Sequence, residues 1–150
     1  MNWTRDRSLL LSLVCVGFFA AVMLALDVGI WWIAQRFFVM GRGDPRQYAL
    51  FTVISVYLCS VPAWLTLASL WRLLRNLRRG AVFTEGNVRL LRTVSWCCAI
   101  AALLTALNAL YYIPYLFVAV AEAFMALIVR IVKNAFQEAA AMRSELDLTI

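Results

Sequence analysis

The sequence predicts an all-α integral membrane bundle of four transmembrane helices with both termini cytoplasmic, and three observations carry that prediction. Hydrophobic residues fill 65% of the 150 positions and charged residues only 15%, where a soluble domain carries about 45–50% apolar residues. The apolar positions gather into four runs, and a bilayer-crossing helix needs about 20 mostly apolar residues. A basic segment, Leu70 to Arg92, divides these runs into two hairpins and holds six arginines against one acid, Glu85.

The first span is expected over about 9–34, after a short polar head bearing Arg5, Asp6 and Arg7. Its length exceeds the apolar core of a cleaved leader and no small-residue cleavage site precedes Asp27, so it reads as a retained anchor. Trp31 and Trp32 mark an interface, where amphipathic rings settle. The following GRGDPR is turn chemistry, because Gly41, Gly43 and Asp44-Pro45 do not continue a helix. Its RGD tripeptide is short enough to recur by chance and reads as a solvated turn.

The second span is expected over about 48–70, with a kink at Pro62 that neighbouring helices make tolerable inside a bilayer. Leu70, Leu73, Leu74 and Leu77 then keep helical spacing while Arg72, Arg75, Arg78 and Arg79 occupy the other face. With Arg89 and Arg92 these side chains are candidates for anionic lipid headgroups across a basic turn over 71–92. Gly80 is placed as a helix stop, Thr84 as the next N-cap and Glu85 in the first turn behind it. The third span is expected over about 93–112. Pro114 opens a fourth over about 114–132, followed by a cytoplasmic helix and tail over 133–150.

Four crossings place eleven of the 14 Lys and Arg residues on one side and only Arg36, Arg42 and Arg46 on the other. Short basic loops stay cytoplasmic, which puts both termini inside and the protein in a bacterial inner membrane as a multi-pass chain. The net charge of +6 is this bias, and no nucleic-acid module accompanies it, so direct nucleic-acid binding is not expected.

The four cysteines, Cys15, Cys59, Cys97 and Cys98, lie inside the apolar runs without CxxC spacing and read as buried small hydrophobes. Histidine is absent, which removes the commonest metal ligand and general base. No metal site, cofactor or catalytic residue is expected, and the protein reads as non-enzymatic.

Small residues recur at every fourth position: Ala21, Ala25 and Gly29; Ser55, Cys59 and Ala63; Ala101, Thr105 and Ala109; Ala119 and Ala123. Such stripes let helix backbones approach in lipid and predict a compact bundle. Asp27, Glu122 and Asn108 are the intramembrane polar candidates. An acid at that depth is protonated, paired or facing a polar cavity. Glu122 shares a face with Ala119, Ala126, Arg130, Lys133 and Gln137, which points it inward. It reads as a register-fixing acid held by Asn108, Tyr111, Tyr112 or Thr105, or as a proton or cation site. Asp27 projects away from its own small-residue stripe, toward a second contact or an outer vestibule.

Pro62, the segment LWRLLRNLRRGAVFTEGNVRLLR and the terminal run KNAFQEAAAMRSELDLTI together resemble the bacterial membrane family called domain of unknown function twenty-nine seventy-five, over roughly 55–150. The family's acidic Glu-Asn-Asp-Leu-Thr-Ile ending stands here as Glu145, Leu146, Asp147, Leu148, Thr149 and Ile150, with Leu146 in place of the asparagine. The acidic turn that many members carry between the last two spans is missing. The resemblance implies no activity. It implies a membrane partner for a cytosolic helix-turn-helix regulator, because such genes often lie beside one. The tail then either docks on that partner or latches onto the central turn, with Glu145 and Asp147 meeting its arginines. The alternative is a small proton- or cation-linked transporter or channel using Asp27 and Glu122, in which a homo-oligomer would build the pore.

Overall fold

The computed structural model describes residues 3–37, 45–80, 82–110 and 113–148, with side chains described over 7–34, 50–80, 82–110, 113–142 and at 145. Four helices follow one another: α1 (Trp3–Phe37), α2 (Pro45–Arg78), α3 (Glu85–Asn108) and α4 (Pro114–Leu148). Each contains a stretch long and apolar enough to cross a membrane: Arg7–Ala34, Leu50–Arg78, Glu85–Asn108 and Pro114–Met142. At 1.5 Å per residue the 35 residues of α4 run about 52 Å, well past a hydrocarbon core of about 30 Å. The surface explains the composition: Phe18, Trp32, Val61, Trp96, Leu103, Phe117 and Phe124 are all exposed, a distribution that suits lipid as the surrounding medium.

The helix boundaries refine the sequence reading in places. α2 continues unbroken through Pro62, which is buried. The turn between α2 and α3 narrows to residues 79–84, so Arg89 and Arg92 stand on the first turns of α3. Gly80 takes the left-handed backbone conformation, φ +81°, that a glycine stop supplies. Thr84 is the N-cap of α3 in extended conformation, but its hydroxyl makes no capping bond; its carbonyl instead accepts from the amides of Asn87 and Val88. α3 ends at Asn108. α4 stays helical through Glu145, Leu146, Asp147 and Leu148, so most of the expected tail is its last turn. Thr149 and Ile150 lie outside the described residues, as do Gly41, Gly43 and Asp44 between α1 and α2 and the rings of Tyr111 and Tyr112.

Consecutive helices pack antiparallel, and among the described residues the packing runs between chain neighbours: α1 with α2, α2 with α3 and α3 with α4. The four helices form the bundle expected from the sequence, with α1 and α4 not packed against each other among the described residues. The stripe of α1 is not its main contact face: Ala21 and Ala25 are exposed, and the α1–α2 contact is made by Ile30 and Ala34 against Val53 and Val56. Thr105 and Ala119, from the stripes of α3 and α4, are buried. Along α3 the buried face is Asn87, Val88, Leu91, Val94, Cys97, Ala102 and Thr105.

The α2–α3 turn is held by a side chain that periodicity alone did not single out. Asn87 is fully buried, 0% exposed. Its Nδ2 donates to the Val82 carbonyl at 2.8 Å and its Oδ1 accepts from Asn76 Nδ2 at 2.8 Å. A buried amide that satisfies a turn carbonyl and a neighbouring helix fixes the geometry of both. Further along, the rings of Phe83 and Phe136 meet with centroids 5.4 Å apart and join the same turn to α4.

Candidate functional site

A partly open cavity of about 260 Å³ lies among the helices, and all four contribute to it. α1 supplies Met23, Leu26 and Asp27, and α2 supplies Ser55, Val56, Cys59, Ser60 and Ala63. α3 adds Ala101, Thr105 and Asn108, and α4 adds Tyr115, Val118 and Glu122. All three intramembrane polar residues expected from the sequence therefore line one space. Counting from Ala34 and from Pro114 at 1.5 Å per residue, Asp27 and Glu122 sit about 10–12 Å in from the same end of their helices.

Asp27 faces α2, the second contact expected for it. Its Oδ1 accepts from the Ser60 hydroxyl and its Oδ2 accepts from Trp64 Nε1 at 2.8 Å. The Tyr57 hydroxyl donates to the Asp27 backbone carbonyl at 3.0 Å. Tyr57, Ser60 and Trp64 fall on successive turns of one helical face, which is how three donors from one helix converge on one residue of another. The spacing was visible in the sequence, but it acquires meaning only when that face is set against Asp27.

Glu122 takes the hydrogen bond expected from one of its candidate partners: Thr105 Oγ1 donates to Glu122 Oε2 at 2.9 Å. Asn108, expected beside Glu122, is instead held by α2, with Ser55 Oγ donating to Asn108 Oδ1 at 2.7 Å. Interhelical hydrogen bonds in bilayers average about 0.6 kcal/mol each, so these contacts set register more than they supply stability. Ser95 adds a bond to the backbone, its hydroxyl donating to the Ala126 carbonyl at 3.1 Å. Neither Asp27 nor Glu122 makes an ion pair with any described residue. No group of three or more His, Cys, Asp or Glu side chains stands ready for a metal among the described residues.

The second site lies at the other end of the helices. A groove of about 640 Å³ runs between the start of α3 and the far part of α4, lined by Phe83, Glu85, Val88, Arg89, Arg92, Gln137, Ala140 and Ala141. Arg72, Arg75, Arg78, Arg79, Arg89 and Arg92 are all exposed at this end. Arg89 reaches Glu85 at 3.8 Å with both side chains open to solvent, a pair that contributes little to stability. Glu145, on the last turn of α4, is exposed.

Four apolar helices carrying a polar interior define a membrane protein of the small helical kind. Residues 32–150 match the family model described as Protein of unknown function (DUF2975), and the chain belongs to that family. The match begins near the end of α1, so it takes in the segment between α1 and α2 as well as the 55–150 region on which the resemblance rested. No curated protein and no solved structure matches the chain.

Proposed function

We propose that this chain is a non-enzymatic, multi-pass protein of a bacterial inner membrane, its arginine-rich end and both termini cytoplasmic, acting as the membrane partner of a cytosolic helix-turn-helix regulator. The observation that carries this reading is the groove between α3 and α4. Phe83, Val88, Ala140 and Ala141 give it an apolar floor, and Glu85, Arg89, Arg92 and Gln137 give it a polar rim on which Arg92 is the arginine not paired with Glu85. Such a combination suits an amphipathic helix with acidic flanks, while the outward arginines of α2 suit anionic headgroups at the membrane surface. Full-length protein and an Arg89→Glu/Arg92→Glu variant, which reverses the charge on the groove's rim, purified in detergent from native membranes, test it by mass spectrometry of what co-purifies. A helix-turn-helix protein is expected with the parent chain and not with the variant. Recovery of no soluble partner with either removes the reading.

A second reading, a small proton- or cation-linked transporter or channel, is favoured by a separate observation: Asp27 and Glu122 line the same intramembrane cavity from helices that do not touch. Proteoliposome flux that is lost in Glu122→Gln supports it, and the absence of any Glu122-dependent flux refutes it.

A further inference from the structure

We propose that the intramembrane cavity is a binding site for a small organic ammonium ion with an apolar body, bridged between Asp27 of α1 and Glu122 of α4. The inference rests on the cation-linked reading and names its ligand class. Three properties of the cavity select that class.

The first is the balance of donors and acceptors. A serine or threonine hydroxyl has one proton to donate and two lone pairs. Ser55, Ser60 and Thr105 spend their protons on Asn108, Asp27 and Glu122 respectively. What these hydroxyls offer the cavity is lone pairs, beside the two carboxyl groups, while the amide nitrogen of Asn108 remains as a donor. With two acids and no Lys or Arg in the lining, the cavity favours positive charge over negative.

The second is the pair of acids without a cation. Asp27 and Glu122 stand in a membrane-spanning region with no ion pair to a described residue, where an uncompensated charge is costly. A ligand ammonium supplies the missing charge and brings up to three N–H donors to the acceptors around it.

The third is the wall between the acids. Met23, Leu26, Val56, Ala63, Ala101 and Val118 surround the polar groups with hydrocarbon. An ammonium carried on an apolar body meets both parts of the lining. The volume of about 260 Å³ exceeds the roughly 150 Å³ at which an apolar engineered cavity admits benzene, so a ring with a short amine arm fits.

The test uses the full chain in lipid nanodiscs and benzylammonium as the probe, with uncharged benzyl alcohol, sodium and potassium as controls. Trp64, bonded to Asp27, is the fluorescence reporter, and calorimetry gives the affinity independently. Benzylammonium is expected to bind saturably and benzyl alcohol at least tenfold more weakly. Asp27→Asn and Glu122→Gln, which keep the side-chain shape, should each weaken benzylammonium at least tenfold. Ala101→Leu, which fills the cavity and leaves both acids in place, should abolish binding while circular dichroism stays that of the parent, so the test survives even where an acid variant fails to fold. Equal binding of alcohol and ammonium, or unchanged binding in Ala101→Leu, overturns the proposal. Glu122-dependent proton or sodium flux without benzylammonium binding overturns the ligand class alone and leaves the cation-linked reading standing; absence of both removes the two together.

Discussion

Asn87→Ala is the substitution whose cost the structure fixes most directly. Asn87 is 0% exposed and bonds the Val82 carbonyl and the Asn76 amide, each at 2.8 Å. Truncation leaves the Val82 carbonyl short of its donor, and an unsatisfied buried polar group costs about 1–3 kcal/mol. Asn76 is only partly buried, so water recovers part of its loss and the charge there is about 0.5–1.5 kcal/mol. The expected destabilisation is therefore about 1.5–4.5 kcal/mol, a large share of the roughly 5–15 kcal/mol that holds a typical fold. Equilibrium unfolding in mixed micelles, followed by tryptophan fluorescence and far-UV circular dichroism, measures it. Asn87→Asp should do no better, since it keeps the volume but replaces the donor facing Val82 with an acceptor. In a double-mutant cycle with Asn76→Ala, the pair should couple by about 1 kcal/mol. A loss under about 0.5 kcal/mol for Asn87→Ala, together with an additive cycle, would refute the view that this amide clamps the turn.

Gly80→Ala should cost about 1–2 kcal/mol, because no neighbouring atom lies within 4 Å of the added methyl and the penalty comes from the positive φ alone; Gly86→Ala, in helical backbone with its nearest neighbour 3.9 Å away, should be neutral or stabilising in the same unfolding assay. Thr105→Val removes the donor to Glu122 and should cost about 1 kcal/mol, with a smaller effect in a Glu122→Gln background if the two act through one bond. Asp27→Ala should shift Trp64 emission more than Asp27→Asn does, since the asparagine keeps a side-chain oxygen able to accept from the indole N–H and the alanine keeps none. Alkaline phosphatase fused after Gly43 should be active and fused after Gly80 inactive; the reverse pattern would invert the proposed topology.

The helices were legible because each span is an apolar run interrupted by Gly, Pro or charge, and Gly80, Thr84 and Pro114 punctuate the chain where the backbone turns. The depth of Asp27 and Glu122 was legible by the same counting. Their partners were less so. α1 is apolar on nearly every face, so nothing in its periodicity says which side meets α2, and the donors Tyr57, Ser60 and Trp64 were passed over as ordinary span residues. The small-residue rule points to a bundle without saying which part of each stripe is used; on α1 Ala21 and Ala25 are exposed, and Ile30 and Ala34 make the contact. Asn108 was grouped with Glu122 by nearness along the chain, whereas the structure gives it to Ser55 across the α2–α3 interface. Asn87 had a signal that a stricter reading would catch: it shares the buried face of α3 with Val88, Leu91 and Val94, and a polar residue on such a face must find partners.

α4, like α3, runs from the cavity to the groove. It is one helix from Pro114 to Leu148, braced on one side by α3 and free of α1. Glu122 sits in the cavity, while Gln137, Ala140 and Ala141 border the groove. The rise from Glu122 to Gln137 is about 22 Å. With its pivot near the cavity, a rod of that length moves its far part by ~2 Å for a tilt of ~5°. An event at Glu122 would thus be read at the opposite surface as a change in groove width, with no soluble messenger and no refolding between them. The chain is built like a tuning peg: a small turn at one end adjusts the fit at the other.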